Sequence, residues 1–131
     1  MPKTNLTATL VNSSKKFSCN VRLSIYFFEE KKVSLAYCPS LDLVGYGKNE
    51  VEAKKSFEIV LKGFIAYTVN KGTLQKELER LGWNISGTKK NRKIKSPEIE
   101  KLLVDREQFK DIFKKKSFKM VEESVKIPAL V

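Results

Sequence analysis

Histidine is absent from this chain of 131 residues. That absence removes Ser-His-Asp and Cys-His catalysis, histidine-ligated metal sites and a histidine pH switch. Cysteine is scarce too: Cys19 and Cys38 alone cannot build a four-cysteine zinc site or a disulfide framework. No apolar run approaches the roughly 20 residues that a membrane span needs. Met1-Pro2-Lys3-Thr4-Asn5 lacks the apolar stretch of a signal peptide. Acidic residues are outnumbered, with 15 Asp and Glu against 26 Lys and Arg, a net charge of +11. What is present suffices for a fold. Hydrophobic residues make up 41%, and a chain of this length buries roughly two-thirds of its unfolded surface. The expectation is a single cytoplasmic domain over 1–131, with no catalytic residue, metal ligand set or cofactor.

Period-two alternation marks the first clear strand, over 16–27. Phe17, Cys19, Val21, Leu23, Ile25 and Phe27 share one face, and Lys16, Ser18, Asn20, Arg22, Ser24 and Tyr26 the other. Glu29-Glu30-Lys31-Lys32 reads as a turn. Val33, Leu35 and Tyr37 then resume the odd-numbered apolar set, so the two strands make an antiparallel hairpin. If both odd sets face one core, Ile25 lies opposite Leu35, Leu23 lies opposite Tyr37, and the loop holds about three or five residues. In that register Cys19 points into the core and Cys38 away from it, so both thiols are expected free. Cys38 has no histidine base to activate it as a nucleophile. Pro39 ends the second strand. Leu43-Val44-Gly45-Tyr46-Gly47 fits a third strand, and its glycines lack the further glycine and lysine of a phosphate loop.

Helical signals follow. Asn49 as N-cap with Glu52 three residues on gives a capping-box pattern, and Lys71-Gly72 a C-terminal ending. Ala53, Phe57, Val60, Leu61, Phe64 and Thr68 form its buried stripe. Ile59, Ile65 and Val69 fall off that stripe and make a second contact, within the fold or with a partner chain. Thr73 caps a shorter helix with Leu74, Leu78 and Leu81, ended by Gly82, and Trp83 covers the core edge. Ser96-Pro97-Glu98 opens a third helical segment, broken near Asp105. Phe118–Val121 and Ser124–Leu130 read as extended chain, with Pro128 marking an edge strand or a strand end. Leu6, Ala8 and Leu10 suggest one more strand. The fold class is α+β. It consists of a three-stranded antiparallel meander plus a returning C-terminal strand, one long helix on one face, and extra helices before the last strand, in two layers. The core spans about 17–83 plus 118–130, and 84–117 is a basic helical insertion.

Positive charge is densest at Lys89, Lys90, Arg92, Lys93 and Lys95, in a segment with Gly87, Asn91 and Pro97 that reads as a loop. Such a loop suits phosphates or an acidic partner, or simply a solvated surface. Lys114-Lys115-Lys116 sits at a helix C-terminus. Glu29-Glu30 and Glu122-Glu123 are the adjacent acid pairs. Two-metal nuclease chemistry needs several converging carboxylates, and beyond the hairpin tip the meander offers only Asp42 near a strand end, where it suits a turn.

Tyr37-Cys38-Pro39-Ser40-Leu41-Asp42-Leu43-Val44-Gly45-Tyr46-Gly47 and the following Lys48-Asn49-Glu50-Val51-Glu52-Ala53 resemble the core signature of HicB-like antitoxin domains. The matching positions are Tyr37, Pro39, Leu41, Asp42, Gly45, Gly47, Glu52 and Ala53. The specific likeness covers 37–53, and the remainder of 17–130 matches in pattern only. The resemblance implies a partial RNase H-like fold and a non-enzymatic protein-binding role that masks a small HicA-like ribonuclease toxin. The family's usual C-terminal DNA-binding module is not expected here, because only Leu130 and Val131 follow the last strand. Two alternatives stand beside this reading. One is a nucleic-acid-binding protein using the 89–95 segment, and the other a free-standing homo-oligomeric domain. An edge strand offers a route to a homodimer by β-pairing.

Overall fold

The computed structural model describes residues 18–88, 91–115 and 117–128. Chain order is β1 (Ser18–Glu30), β2 (Val33–Cys38), β3 (Leu43–Gly47), α1 (Glu50–Lys71) and α2 (Leu74–Arg80). Then come β4 (Asn84–Ser86), β5 (Lys93–Lys95), α3 (Ile99–Asp105), α4 (Glu107–Lys115) and β6 (Phe118–Pro128). The main sheet is antiparallel throughout, in the order β3-β2-β1-β6, with the C-terminal strand returning beside β1. The expected α+β meander with its returning strand and long helix is therefore the fold. The two extended C-terminal stretches are one strand, and Pro128 is its last residue. The strand expected near Leu6, together with Lys16, Phe17, the Cys19 side chain and Ala129, lies outside the described residues.

Hairpin register departs from the expectation. Tyr26 pairs with Tyr37 and Phe27 with Ala36, so odd positions of β1 face even positions of β2. The cause is a two-residue turn. Lys31 and Lys32 have φ of 53° and 68°, the left-handed pair of a type I′ turn, whose twist matches the flanking strands. This parity sorts the side chains into two cores. Val21, Leu23, Ile25 and Phe27 join Ala36, Cys38, Val125 and Ile127 beneath α1 and α2. Tyr26, Phe28 and Tyr37 pack on the opposite face against Leu102, Phe109 and Ile112 of α3 and α4. The sheet is thus covered on both faces, in three layers rather than two. Cys38 points into the α1-side core, not away from it, and its free thiol is fully buried.

The long helix begins and ends where its caps stand. The Asn49 side chain accepts from the Glu52 N–H at 2.9 Å, and Glu52 Oε1 accepts from the Lys48 N–H at 2.9 Å. Gly72 closes the helix with φ 72°, its N–H reaching back to the last turn. The buried stripe is Ala53, Phe57, Leu61, Ile65 and Thr68. Ile65 belongs to this stripe and Val60 and Phe64 lie half-buried, because the helix is rotated slightly from the expected face; Ile59 and Val69 remain exposed. Trp83 is buried at the core edge, as expected. The third helical segment breaks at Arg106, and Glu98 rather than Ser96 occupies its N-cap.

Candidate functional site

The signature between Tyr37 and Ala53 folds into one turn-and-helix unit. Tyr37 is buried, and its hydroxyl donates to Asp42 Oδ1 at 2.7 Å. Asp42 adopts φ 57° to make that turn, a conformation that Asp tolerates better than most residues. Two carbonyls of the same turn are taken from a distance. Arg106 Nε donates to the Pro39 oxygen at 3.0 Å, and Trp83 Nε1 donates to the Ser40 oxygen at 2.8 Å. Arg106 Nη2 also donates to the Leu81 oxygen at 2.7 Å. One guanidinium therefore ties the β2–β3 turn to the end of α2. Leu41 is buried in the α1-side core.

Gly45 and Gly47 meet α1 through contact with its backbone and first turn. A Cβ on Gly45 would fall on the Phe57 backbone nitrogen and 2.8 Å from the Ser56 carbonyl carbon. A Cβ on Gly47 would meet the Glu52 side chain. Ala53 is fully buried, and Glu52 serves the cap. The matching positions are thus occupied in building the fold. The reactive-looking groups of this stretch, Tyr37 and Cys38, are quiet. Burial pushes the Tyr37 hydroxyl far above its ordinary range, reinforced by the bond to Asp42. Burial likewise raises the Cys38 thiol, opposed in part by the Ser40 hydroxyl 3.4 Å from its sulfur. A thiol held protonated is a poor nucleophile.

Part of the basic segment is strand: Lys93–Lys95 forms β5, and Asn91 and Arg92 precede it outside any strand. β4 pairs with β5, and Ile85 and Ile94 lie opposite each other and pack against the α1-side core. Alternation then sends Lys93 and Lys95 into solvent. Arg92 Nη1 donates to the Gly87 oxygen at 3.3 Å, and Lys95 pairs with Glu98 at 3.7 Å. Lys89 and Lys90 lie outside the described residues, as do the Lys115 side chain and Lys116; Lys114 is exposed.

An aromatic shelf that the sequence reading missed extends beyond α4. Tyr26 contacts Phe109, Phe113 and Phe118 edge-on, with centroids 4.9, 6.1 and 5.3 Å apart. Phe113 and Phe118 stack at 5.2 Å and 23°. These two are 40% and 38% exposed, and Met120 beside them on β6 is 46% exposed. Phe118 also lines a cleft of about 460 Å³ together with Phe27, Phe28, Leu35 and Lys119. Lys119 bridges to Glu50 at 2.9 Å. The signal was present in the apolar even-numbered positions Tyr26, Phe28 and Phe118, which a one-faced reading of the strands passes over.

The Glu122-Glu123 pair is compensated, and Glu29 and Glu30 are exposed at the end of β1. Glu29 and Glu30 adjoin Lys31 and Lys32 in sequence. Glu122 pairs with Arg22 at 3.2 Å, and buried Glu123 pairs with Lys54 at 3.3 Å. Among the described residues no group of three or more His, Cys, Asp and Glu side chains is placed to hold a metal ion, and no helix is long and apolar enough to cross a membrane. No family model, curated protein or solved structure matches the chain.

Proposed function

We propose that this protein is a non-enzymatic, HicB-like antitoxin-type module that binds and masks a small ribonuclease toxin. The observation that carries the reading is the shelf of Phe113, Phe118 and Met120, contiguous aromatics and methionine exposed beside a cleft. Stacked aromatics and methionine left in water are the composition of a protein-binding core rather than of an ordinary surface. The chain order β1, β2, β3, α1 with a later returning strand agrees with the βββαβ unit that the resemblance implies. A ribonuclease toxin is expected to be basic. A +11 protein does not attract such a partner by charge. With Glu122 and Glu123 already paired within the chain, the binding proposed rests on apolar contact.

The test is co-purification from the native lysate after nuclease treatment, at low and high salt. A small protein retained at high salt, with ribonuclease activity that appears once it is separated from this chain, supports the role. Phe118→Asp and Met120→Asp are then expected to release it. Retention of RNA or DNA alone, lost as salt rises, overturns it in favour of a nucleic-acid-binding protein. That second reading is favoured by one feature, the outward projection of Lys93 and Lys95 from the β4–β5 hairpin. Replacing Lys89, Lys90, Arg92 and Lys93 by Ser would then abolish retention of nucleic acid.

A further inference from the structure

We infer that a cavity between the sheet and α3 binds a phosphate or phosphate monoester, held by Arg22, Ser24, Tyr26 and Ser96. This goes beyond the masking role and does not depend on it. The cavity measures about 150 Å³ and lies on the sheet face away from α1. Arg22, Ser24 and Tyr26 reach it from alternate positions of β1, and Ser96 from the segment before α3. Pro97 and Phe109 wall it with apolar surface. The observation that points to a ligand is Tyr26. The residue is only 4% exposed, and Phe109 and Phe118 hold its ring edge-on. Among the described residues its hydroxyl makes no hydrogen bond. Its oxygen is nonetheless not sealed in protein, and this cavity is the space that Tyr26 lines. Buried hydroxyls are ordinarily paired, and leaving one unpaired is costly.

The donors select the ligand. Burial, with Glu122 adding to it, raises the Tyr26 pKa, so the hydroxyl keeps its proton and donates. Glu122 stands directly across the ladder from Ser24, which sets the phenol oxygen on the Ser24 side of its ring. The hydroxyls of Ser24 and Ser96 also make no hydrogen bond among the described residues, whereas Ser40 on the same wall is engaged with Cys38. Three hydroxyls and a guanidinium call for one group with several acceptor oxygens and a negative charge. A phosphate meets them from more directions than a planar carboxylate does. The volume is well below the roughly 300 Å³ at which drug-sized pockets begin, so it suits a phosphate with a short substituent rather than a nucleotide. Glu122 is the competing anion. It pairs with Arg22 at 3.2 Å, but the two side chains are 48% and 75% exposed, and such pairs are weak. The ligand takes Arg22 from it.

Amide NMR of the full chain tests this, with titration by inorganic phosphate and, separately, by O-phosphoserine at constant ionic strength. Saturable shifts are expected at Arg22, Ser24, Tyr26 and Ser96. Tyr26→Phe keeps the ring and loses the donor, and should weaken binding roughly three- to tenfold. Arg22→Gln should weaken it by roughly tenfold or more. Glu122→Gln removes the competing carboxylate and should tighten it. Lys62→Gln makes the same change of charge on the exposed side of α1 and should leave binding unchanged. Circular-dichroism melting confirms that each variant is folded. Tighter binding of O-phosphoserine supports the site and assigns it to a phosphorylated side chain of a partner, and tighter binding of inorganic phosphate supports it as a site for the free ion. Absence of saturable shifts at these residues, a Tyr26→Phe variant that binds as wild type does, or a Lys62→Gln variant as weak as Arg22→Gln would each overturn the inference.

Discussion

Gly45 lies directly against the backbone of Phe57, so close that the β3 glycine and the α1 peptide leave no room for a methyl group between them. Strand and helix are therefore in contact through main chain. Gly45→Ala is expected to push α1 from the sheet and cost about 3 kcal/mol, at the upper end of overpacking changes. Gly63 gives the contrast. It stands in α1 with nothing within 4 Å of an added Cβ, so Gly63→Ala should stabilise by about 0.5–1 kcal/mol. Urea midpoints of the two variants check both signs.

The β1–β2 turn holds two lysines in the left-handed region, where a side chain costs roughly 1–2 kcal/mol per residue. Replacing Lys31-Lys32 with Asn-Gly keeps the turn type and removes much of that cost. The expected gain is about 1 kcal/mol, read as a raised melting temperature with the fold unchanged. Lengthening the turn by one residue should instead prevent folding, because it exchanges the two faces of β2.

Arg106 joins the Pro39 carbonyl to the Leu81 carbonyl. Arg106→Lys keeps the charge but loses the fork that spans the two oxygens. A loss of about 1–3 kcal/mol is expected, as for hydrogen bonds made by charged groups. Faster hydrogen exchange around the β2–β3 turn should accompany it.

Alkaline pH bears on three buried groups. Cys38, Tyr26 and Tyr37 all have pKa values raised above their ordinary values of 9.0, 10.0 and 10.0, chiefly by burial. Above the unfolded-state values the unfolded chain has released these protons while the folded chain still holds them. The stability they confer is therefore complete below about pH 9 and is lost as pH rises beyond it. Tyr37→Phe should lower stability at neutral pH by about 1–2 kcal/mol through the lost bond to Asp42 and make the alkaline decline shallower. Urea titrations from neutral to strongly alkaline pH measure both effects.

Local signals in the sequence carried much of the fold. Asn49, Glu52 and Gly72 bounded α1, and alternation from Val21 to Phe27 located β1, because caps and strand periodicity are set by neighbouring residues. Register was not legible, since Lys31-Lys32 carries none of the Asn-Gly chemistry that announces a type I′ turn. That single ambiguity misplaced Cys38 and joined Tyr37 to the wrong core. The second core was visible only indirectly. Tyr26-Phe27-Phe28 and Leu35-Ala36-Tyr37 are apolar without alternation, which is how strands buried on both faces read. Of the candidate site, the signature 37–53 was legible as a motif. Its ties to Trp83 and Arg106 were not, because they join residues 43 and 67 positions apart.

The place of β1 in the sheet has a consequence for synthesis. One neighbour of this strand, β2, follows it at once; the other, β6, is made last, so that Arg22 meets Glu122 across 100 positions. While the chain is still on the ribosome, β1 has one edge open and one face without α3 and α4. Its aromatic residues are then exposed to other nascent chains. The domain gains its final ladder only once β6 has emerged, so slow elongation through 84–117 prolongs the interval in which it can aggregate.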